Sequence, residues 1–422
     1  MDNNKAWRIM QAVLLVLAIA AVPVLSGGYG RREVEDTAFV LALGFDRAPD
    51  GQVAVTSQVA IPAKAKEGGG GGGDLPVMVV TNTGRTVAEA LQQFALSSNK
   101  EPFWGHVRVA VFGEEIAREG IAPVLDFLAR NHESRVLMWT AVTTGRASDI
   151  LAAKAQTENL PAMFLSGLIS QSRIHSLAPM TTLFDTLREI DVRTGDPVLP
   201  LIDLVQPGTQ IKPGESGGGG QSSGGSGEQQ AAGEDANPVR LEGAGVFRDD
   251  KLVGFLDTEQ SRGLQWLRGG VRNTIVTFAD PTTGASGALR VFASRRSVVS
   301  SIDFADISRS RFRVRIEADA YFIENTGGPD VLSAEGRTAV ENAAAAVIRN
   351  EAMASLDIVQ HQYRADVLEL GEQVRRRMSN AAWEQVRSTW FDALSDVQVE
   401  VTVDLKLRRP GLLTGRVGLG RR

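Results

Sequence analysis

The chain has 422 residues, which is enough for two or three domains. Its formal net charge of −5 excludes a general electrostatic attraction to nucleic acid or to anionic lipid. The chain contains no cysteine, which excludes disulfides, thiol nucleophiles, thiolate metal sites and lipid attached to cysteine.

Residues 1–28 have the features of an export signal. Lys5 and Arg8 precede an apolar core at 13–22, and this order is typical of a signal peptide. The wider apolar stretch from Ile9 to Leu25 is slightly short of the roughly 20 residues that a membrane helix needs. The sequence therefore predicts a signal or membrane-anchor segment over 1–28 and leaves open whether it is cleaved.

Residues 29–206 alternate between strand and helix patterns and are predicted to form a first mixed domain. Buried strands appear as apolar or alternating runs, and Thr86 with Glu89 forms a capping box at the start of a helix. Asp46 is assigned to the turn after the first strand. The predicted strands are 38–45, 53–59, 77–81, 107–112 and 136–143, and the predicted helices include 123–129 and 147–155.

Two glycine-rich stretches are predicted to be flexible. The tract Gly68–Gly73 has no following Lys-Ser or Lys-Thr, so it is interpreted as a loop tip and not as a phosphate-binding loop. Residues 207–238 have almost no large apolar side chain and cannot offset the entropy of ordering. They are predicted to be a linker that divides the chain into two bodies.

Residues 239–413 are predicted to form a second mixed domain, with 414–422 as a disordered tail. It begins with a hairpin at 240–257, followed by an N-cap at Thr258 and a short helix from Ser261 to Leu267. Ser333 opens a long helical region that Gly371 interrupts or ends. Predicted strands lie at 273–278, 289–292, 297–302, 311–318 and 397–407, and a further helix begins at Asn380.

The sequence contains no recognisable catalytic, cofactor-binding or metal-binding constellation. The four histidines, at 106, 132, 175 and 361, lack the spacing of metal ligands. The pairs Glu114-Glu115 and Asp249-Asp250 fall at a helix start and a turn, where the helix dipole and solvent explain them. The arginines that alternate along 311–315 lie on the opposite face from the apolar residues, which does not favour nucleic acid. We therefore predict no enzyme activity, no cofactor and no nucleic-acid partner.

Several separated stretches, in order, resemble the Ger(x)C family, the C subunits of GerA-type spore nutrient-germinant receptors. The stretch LEGAGVFRDDKLVGFLDTEQSRGLQWL, at 241–267, is similar to the start of the C-terminal half of that family. Further similar stretches lie at 38–62, 102–135 and 365–413. The resemblance runs from about Leu25 to Leu413 and is interrupted by the two glycine-rich stretches.

The chain departs from the family pattern at the lipid-attachment motif. It keeps Leu25-Ser26-Gly27 and Arg31-Arg32-Glu33 but has Gly28 where the family has its lipidated cysteine. A glycine cannot form the thioether, so no lipidation is predicted. Attachment to the membrane would then depend on an uncleaved N-terminal segment or on partner proteins.

The resemblance implies a non-enzymatic subunit on the outer face of the spore inner membrane. Its partners would be a channel-like and a transporter-like membrane subunit, and the membrane surface. The fold class is predicted to be α+β, with the signal or anchor segment followed by two mixed bodies joined by the linker. Whether the second body has one domain or two subdomains is left open.

Two alternatives remain. One is an extracytoplasmic solute-binding module that holds a small ligand between its two bodies. The other is a cell-envelope hydrolase, for which the sequence shows no acid and base pair.

Overall fold

The computed structural model describes residues 37–60, 77–153, 160–192, 195–205, 239–279, 286–325 and 333–409, together with positions 7, 10–15, 158 and 284. Most of the predicted signal or anchor segment, the glycine tract 68–73, the linker 207–238 and the tail 414–422 lie outside these residues. None of the helices in the described ranges is long and apolar enough to cross a membrane. The predicted α+β class is confirmed, because helices cover two separate sheets.

The first sheet is a mixed sheet with a parallel centre. Within the described residues it has nine strands in the order β3-β2-β1-β5-β6-β7-β8-β9, with β4 paired to the start of β1. The pairs β1-β5, β5-β6 and β6-β7 are parallel, and antiparallel strands flank them on both sides. The strands are β1 Thr37–Arg47, β2 Val53–Ala60, β3 Val77–Gly84, β4 Glu101–Phe103, β5 Val109–Phe112, β6 Trp139–Val142, β7 Val198–Leu204, β8 Val239–Arg248 and β9 Lys251–Leu256.

Helices cover both faces of this sheet, as the crossovers between parallel strands require. Alternate side chains of β1 separate into two cores: Leu43 and Phe45 pack on one face and Ala42 on the other. The first core includes residues of α1 Val87–Ser97, α2 Glu114–Glu119, α3 Ala122–Arg130 and α6 Leu183–Val192, and the second includes residues of α4 Ala147–Ala152 and α5 Pro161–His175.

The second sheet has helices on one face. Its strands follow the order β10-β11-β12-β13; the pairs β10-β11 and β11-β12 are antiparallel, and the pair β12-β13 is parallel. Phe312, Val314 and Ile316 of β12 point into a core shared with the helices, whereas the arginines between them face solvent. The elements are α7 Thr258–Arg268, β10 Thr274–Ala279, β11 Ser286–Ser301, β12 Arg311–Asn325, α8 Ala334–Asp357, α9 Leu370–Arg375, α10 Asn380–Leu394 and β13 Gln398–Arg409.

The chain changes from one sheet to the other after β9. The sequence prediction assigned β8 and β9 to the second body, but β8 pairs with β7 and β9 pairs with β8, so both extend the first sheet. Residues 206–238 therefore connect two hydrogen-bonded neighbours of one sheet. The domain boundaries proposed from the sequence stay a prediction.

Several local predictions were wrong. The N-cap of α7 is Asp257, because its carboxylate accepts from Gln260 N while the Gln260 side chain accepts from Asp257 N. The two strands predicted at 289–292 and 297–302 form one strand, β11, whose inward and outward alternation shifts at a bulge beside Val291. Gly371 does not end the long helix, since α8 stops earlier and Gly371 lies within α9.

Candidate functional site

An open cleft of about 500 Å³ lies where β6 and β7 end. In open α/β sheets, ligands commonly bind at the carboxyl ends of the parallel strands. Asp203 lines this cleft, and its two oxygens accept hydrogen bonds from Thr143 Oγ1 at 2.5 Å, Thr144 N at 3.0 Å and Thr144 Oγ1 at 2.6 Å. The Asp203 carboxylate is thus engaged in joining the two strand ends.

Asp46, at the end of β1, is a second carboxylate with a structural role. It is buried, and its two oxygens accept from Ala147 N at 2.7 Å and Ser148 N at 2.9 Å, at the start of α4. Burial raises the pKa of Asp46, and the two backbone donors oppose that rise. The sequence prediction placed Asp46 in a turn, whereas β1 continues to Arg47.

A third group of carboxylates is buried where the two sheet bodies meet. Asp196 lies just before β7, and its oxygens accept from Asp249 N at 2.7 Å and Asp366 N at 2.6 Å. Its own backbone N–H donates to Asp366 O at 3.1 Å. Asp196 therefore binds the β8–β9 turn of the first sheet and the loop before α9 of the second body at once. Burial raises the pKa of Asp196 to about 8, while the backbone donors oppose the rise.

Asp366 continues this network into the second body. Its Oδ1 accepts from Leu370 N at 2.8 Å, and its Oδ2 accepts from Gly371 N at 2.6 Å and from Trp390 Nε1 at 3.0 Å. The carboxylate thus fixes the start of α9 against α10. Burial raises the pKa of Asp366 to about 6, against these donors.

Charged side chains beside the two aspartates add a further connection. Arg268, at the end of α7, donates to Glu189 of α6 at 2.6 Å, and Glu189 is nearly inaccessible. Burial raises the pKa of Glu189, and the neighbouring charge of Arg268 opposes this rise. Arg296 of β11 donates to Leu267 O at 3.1 Å and Leu368 O at 3.3 Å, and burial lowers its pKa. We call Glu189, Asp196, Arg268, Arg296 and Asp366 the junction cluster.

Close packing accompanies these polar contacts at the junction. Tyr363 Oη donates to Phe255 O of β9 at 2.7 Å, and its ring lies against Gly254, where an added Cβ would come within 2.3 Å of the ring. Ser176, after α5, accepts from Arg272 N at 2.8 Å and donates to Arg272 O at 3.1 Å. The junction therefore holds the two bodies in one defined arrangement.

The residues that sequence reasoning singled out are not brought together. His106 is exposed beside Phe39 and Phe103, and His361 contacts Asp357 at 2.9 Å. In the described ranges, no three histidine or acidic side chains come close enough to hold a metal ion. Two β12 arginines instead form cross-strand pairs with β13: Arg313 with Glu400 at 2.8 Å and Arg315 with Asp404 at 3.0 Å.

The junction cluster was missed because each member looks unremarkable in the sequence. One local signal exists: Asp366 interrupts the apolar run of Ala365, Val367 and Leu368, which is unusual for an exposed charge. The contact between Asp196 and Asp366 joins positions 170 residues apart, so no local pattern encodes it.

Comparison with known proteins matches two family models along most of the chain. Residues 30–204 match the family model described as spore germination protein N-terminal domain. Residues 242–411 match the family model described as spore germination B3/GerAC like, C-terminal. Together the two matches cover most of the chain, in order. The chain belongs to the Ger(x)C family of spore germination proteins.

Relatives within the Ger(x)C family align along nearly the whole length. The putative spore germination protein YfkR of Bacillus subtilis (strain 168) is 25% identical, over 94% of this chain and 96% of its own. The spore germination protein KC of the same organism is 24% identical, over 96% and 97%. The crystal structure of the GerBC protein has the same fold, with a TM-score of 0.51 at 16% identity, over 87% of this chain and 97% of that one.

Proposed function

We propose that this chain is the C-type subunit of a spore germinant receptor. It would be a non-enzymatic, membrane-associated component that supports nutrient-triggered germination together with polytopic A-type and B-type subunits. The observation that carries the proposal is the match of both Ger(x)C domains, in order, over residues 30–204 and 242–411. The relatives named as spore germination proteins, aligned over more than nine-tenths of both chains, support it further.

The geometry of the buried carboxylates favours a scaffold over a catalyst. Asp46, Asp196 and Asp366 each accept from backbone donors through both oxygens, and these bonds hold elements together. A general acid or base must instead present a titrating oxygen to a substrate. The junction cluster is thus suited to holding the two bodies in a fixed relation.

The proposed location is the outer face of the spore inner membrane. The export features of residues 1–28 support a protein carried across a membrane. Gly28 cannot carry the family's lipid, so the proposal relies on the apolar stretch from Ile9 to Leu25 or on the partner subunits for attachment.

Deletion of the chain tests the receptor role. A strain lacking it and any paralogue is expected to lose the response of its spores to particular nutrients while vegetative growth stays normal. The chain returned at its own locus should restore the response. Normal germination of the deleted strain in every nutrient that triggers the parent would overturn the proposal.

A mild-detergent pull-down from dormant-spore membranes tests the partners and the location. We expect two polytopic membrane proteins to be recovered with the chain, and the intact mass of the chain to show whether residues 1–27 are retained. Recovery of the chain as a free, processed, soluble protein would contradict the membrane complex.

A solute-binding module is the second candidate, and the cleft beside Asp203 is the observation in its favour. The cleft belongs to the first sheet, at the ends of β6 and β7, and not to the junction of the two bodies. Titration of the purified full chain with the nutrients that trigger the parent spores separates the two functions. Saturable binding that Thr144→Ala weakens would favour the module.

A further inference from the structure

Several exposed apolar side chains lie along one edge of the first sheet, which is also the edge at which β1 begins. Strands β1, β4, β5 and β6 run in parallel, so their first residues lie along the same edge. Helix α1 returns from the end of β3 towards the start of β4, and the loop 131–138 leads directly into β6. We call this the amino edge.

Four large apolar side chains at the amino edge are exposed. Leu96 at the end of α1 is 79% exposed, Leu137 67%, Phe184 53% and Val136 46%. Phe184 N donates to Val136 O at 2.9 Å, which places these two residues side by side, with Leu137 next to them. Contiguous exposed apolar groups of this kind mark contact sites for proteins or membranes. We call Val136, Leu137 and Phe184 the edge patch.

Aromatic and basic side chains lie at or just before the starts of the strands along the amino edge. Phe39, Phe103 and His106 form a ring cluster with centroids 5.4–6.2 Å apart, and Trp104 and Trp139 are half-buried nearby along the same edge. Arg108 and Arg135 are exposed in the segments that precede β5 and β6. Apolar side chains with aromatic rings and arginines around them are the composition that suits the interface between lipid tails and headgroups.

The N-terminal apolar stretch, which precedes β1, favours a membrane as the surface that the edge patch contacts. That stretch ends at Leu25, and β1 begins at Thr37 on the amino edge. The residues between them, 26–36, span at most about 40 Å even when fully extended. If the stretch lies in a membrane, the start of β1 lies within that distance of the membrane.

We propose that the edge patch inserts into the interfacial layer of the bilayer, so that the amino edge faces the membrane. The proposal rests on the proposed function, because it assumes a membrane-attached chain, and it deepens that function by fixing the orientation of the first domain. Leu137 and Phe184 enter the boundary between headgroups and acyl chains, and Arg108 and Arg135 contact lipid phosphates.

The absence of cysteine makes the orientation directly measurable. Leu137→Cys in the full chain is labelled with a polarity-sensitive fluorophore, and the protein is bound to vesicles of phosphatidylglycerol and phosphatidylethanolamine. Ser297→Cys, exposed on β11 of the second sheet, is the matched control. We expect a blue shift of the probe at 137 and at least a threefold loss of quenching by aqueous iodide, with no change at 297.

A charge placed in the edge patch provides a second measurement. Phe184→Asp is expected to return the probe at 137 to water, whereas Val299→Asp, on an exposed apolar residue of β11, should leave it buried. Circular dichroism of both variants checks that the fold is intact. A probe at 137 that stays in water on vesicle-bound protein would overturn the proposal. Protection of that probe only when the polytopic subunits are present would also overturn it and assign the patch to a protein interface.

The two proposals fail in different experiments. Insertion of the probe at 137 combined with normal germination of the deleted strain would retain the orientation and reject the receptor role. Loss of germination combined with a solvent-exposed probe would retain the receptor role and reject the orientation.

Discussion

Asp366 shows how one buried side chain can hold several elements. Its oxygens accept from three N–H donors, two in the first turn of α9 and one from Trp390 of α10. In Asp366→Asn, the amide NH₂ must face at least one of these donors, because both oxygens are used. Leaving a buried donor unsatisfied costs about 1–3 kcal/mol.

We therefore expect Asp366→Asn to lower the thermal unfolding midpoint measured by circular dichroism, at pH 7. Asp392→Asn, an exposed carboxylate on α10, is the control and should leave the midpoint unchanged. An Asp366→Asn protein as stable as the parent would show that these hydrogen bonds do not support the fold.

Asp196 gives the junction a dependence on pH. Burial raises its pKa from 3.8 to about 8, so the folded protein retains a proton that the unfolded chain releases near pH 4. Protonation therefore favours folding, and this contribution to the free energy of unfolding falls as pH rises from about 4 to about 8. The fall is at most about 1.4 kcal/mol per pH unit.

The amide in Asp196→Asn cannot ionise, so the free energy of unfolding of this variant should lack the decrease that ionisation of Asp196 causes in the parent. Between pH 5 and pH 8, we expect the parent to lose stability relative to Asp196→Asn in urea titrations of both proteins. Asp392→Asn, an exposed carboxylate on α10, should follow the parent. Parallel stability curves for the parent and Asp196→Asn would show that Asp196 is already ionised throughout this range.

At the scale of elements, the crossing of α7 over α8 depends on a glycine. An added Cβ on Gly263 would lie 2.1 Å from Ser355 Oγ and 2.2 Å from Glu351 O of α8. Beside it, Glu351 accepts from Arg262 Nη2 at 2.5 Å and from Trp266 Nε1 at 2.9 Å, so the helices cannot separate without losing these bonds.

Gly263→Ala is therefore expected to destabilise the protein by about 1–3 kcal/mol through overpacking. Gly167→Ala is the matched control in α5, because nothing lies within 4 Å of the added Cβ. It should stabilise the protein by about 0.4–1 kcal/mol, since alanine restricts the unfolded chain. Equal unfolding midpoints for the two variants would contradict the close approach of α7 and α8.

Elements with a regular period were predictable from the sequence. The alternation of Phe312, Val314 and Ile316 predicted β12 and its buried face, and Ser333 was recognised as the start of α8. The cap of α7 was assigned one residue late, because Asp257 and Thr258 are both good N-cap residues and only the backbone geometry distinguishes them. The sequence also predicted a break within β11 that the structure lacks, because a bulge reverses the alternation of side chains without ending the strand.

The junction cluster could not be predicted because its members meet only through the tertiary fold. Glu189 and Arg268 come from helices in different bodies, and Asp196 meets Asp366 across 170 residues. Burial gives these carboxylates their raised pKa values, and burial depends on the packing of both bodies. These positions lie within the range of the family resemblance, but the resemblance does not indicate that they form a cluster.

At the scale of the whole molecule, the long glycine-rich segment does not separate the two sheets. Leu204 of β7 pairs with Val239 of β8, so residues 206–238 close a loop between neighbouring strands. The entropy of closing a loop grows only with the logarithm of its length, and halving the loop is worth about 0.6 kcal/mol.

Deletion of residues 214–229 should therefore leave the unfolding midpoint unchanged or raise it slightly, because the strands that the segment joins are already adjacent. A scrambled segment of the same length and composition is the control and should match the parent. A substantial loss of stability on deletion, with no loss on scrambling, would mean that the length of the segment sets the fold. If the receptor role is correct, the shortened chain should also restore nutrient response in the deleted strain, since the junction cluster and the edge patch both lie outside the deleted residues.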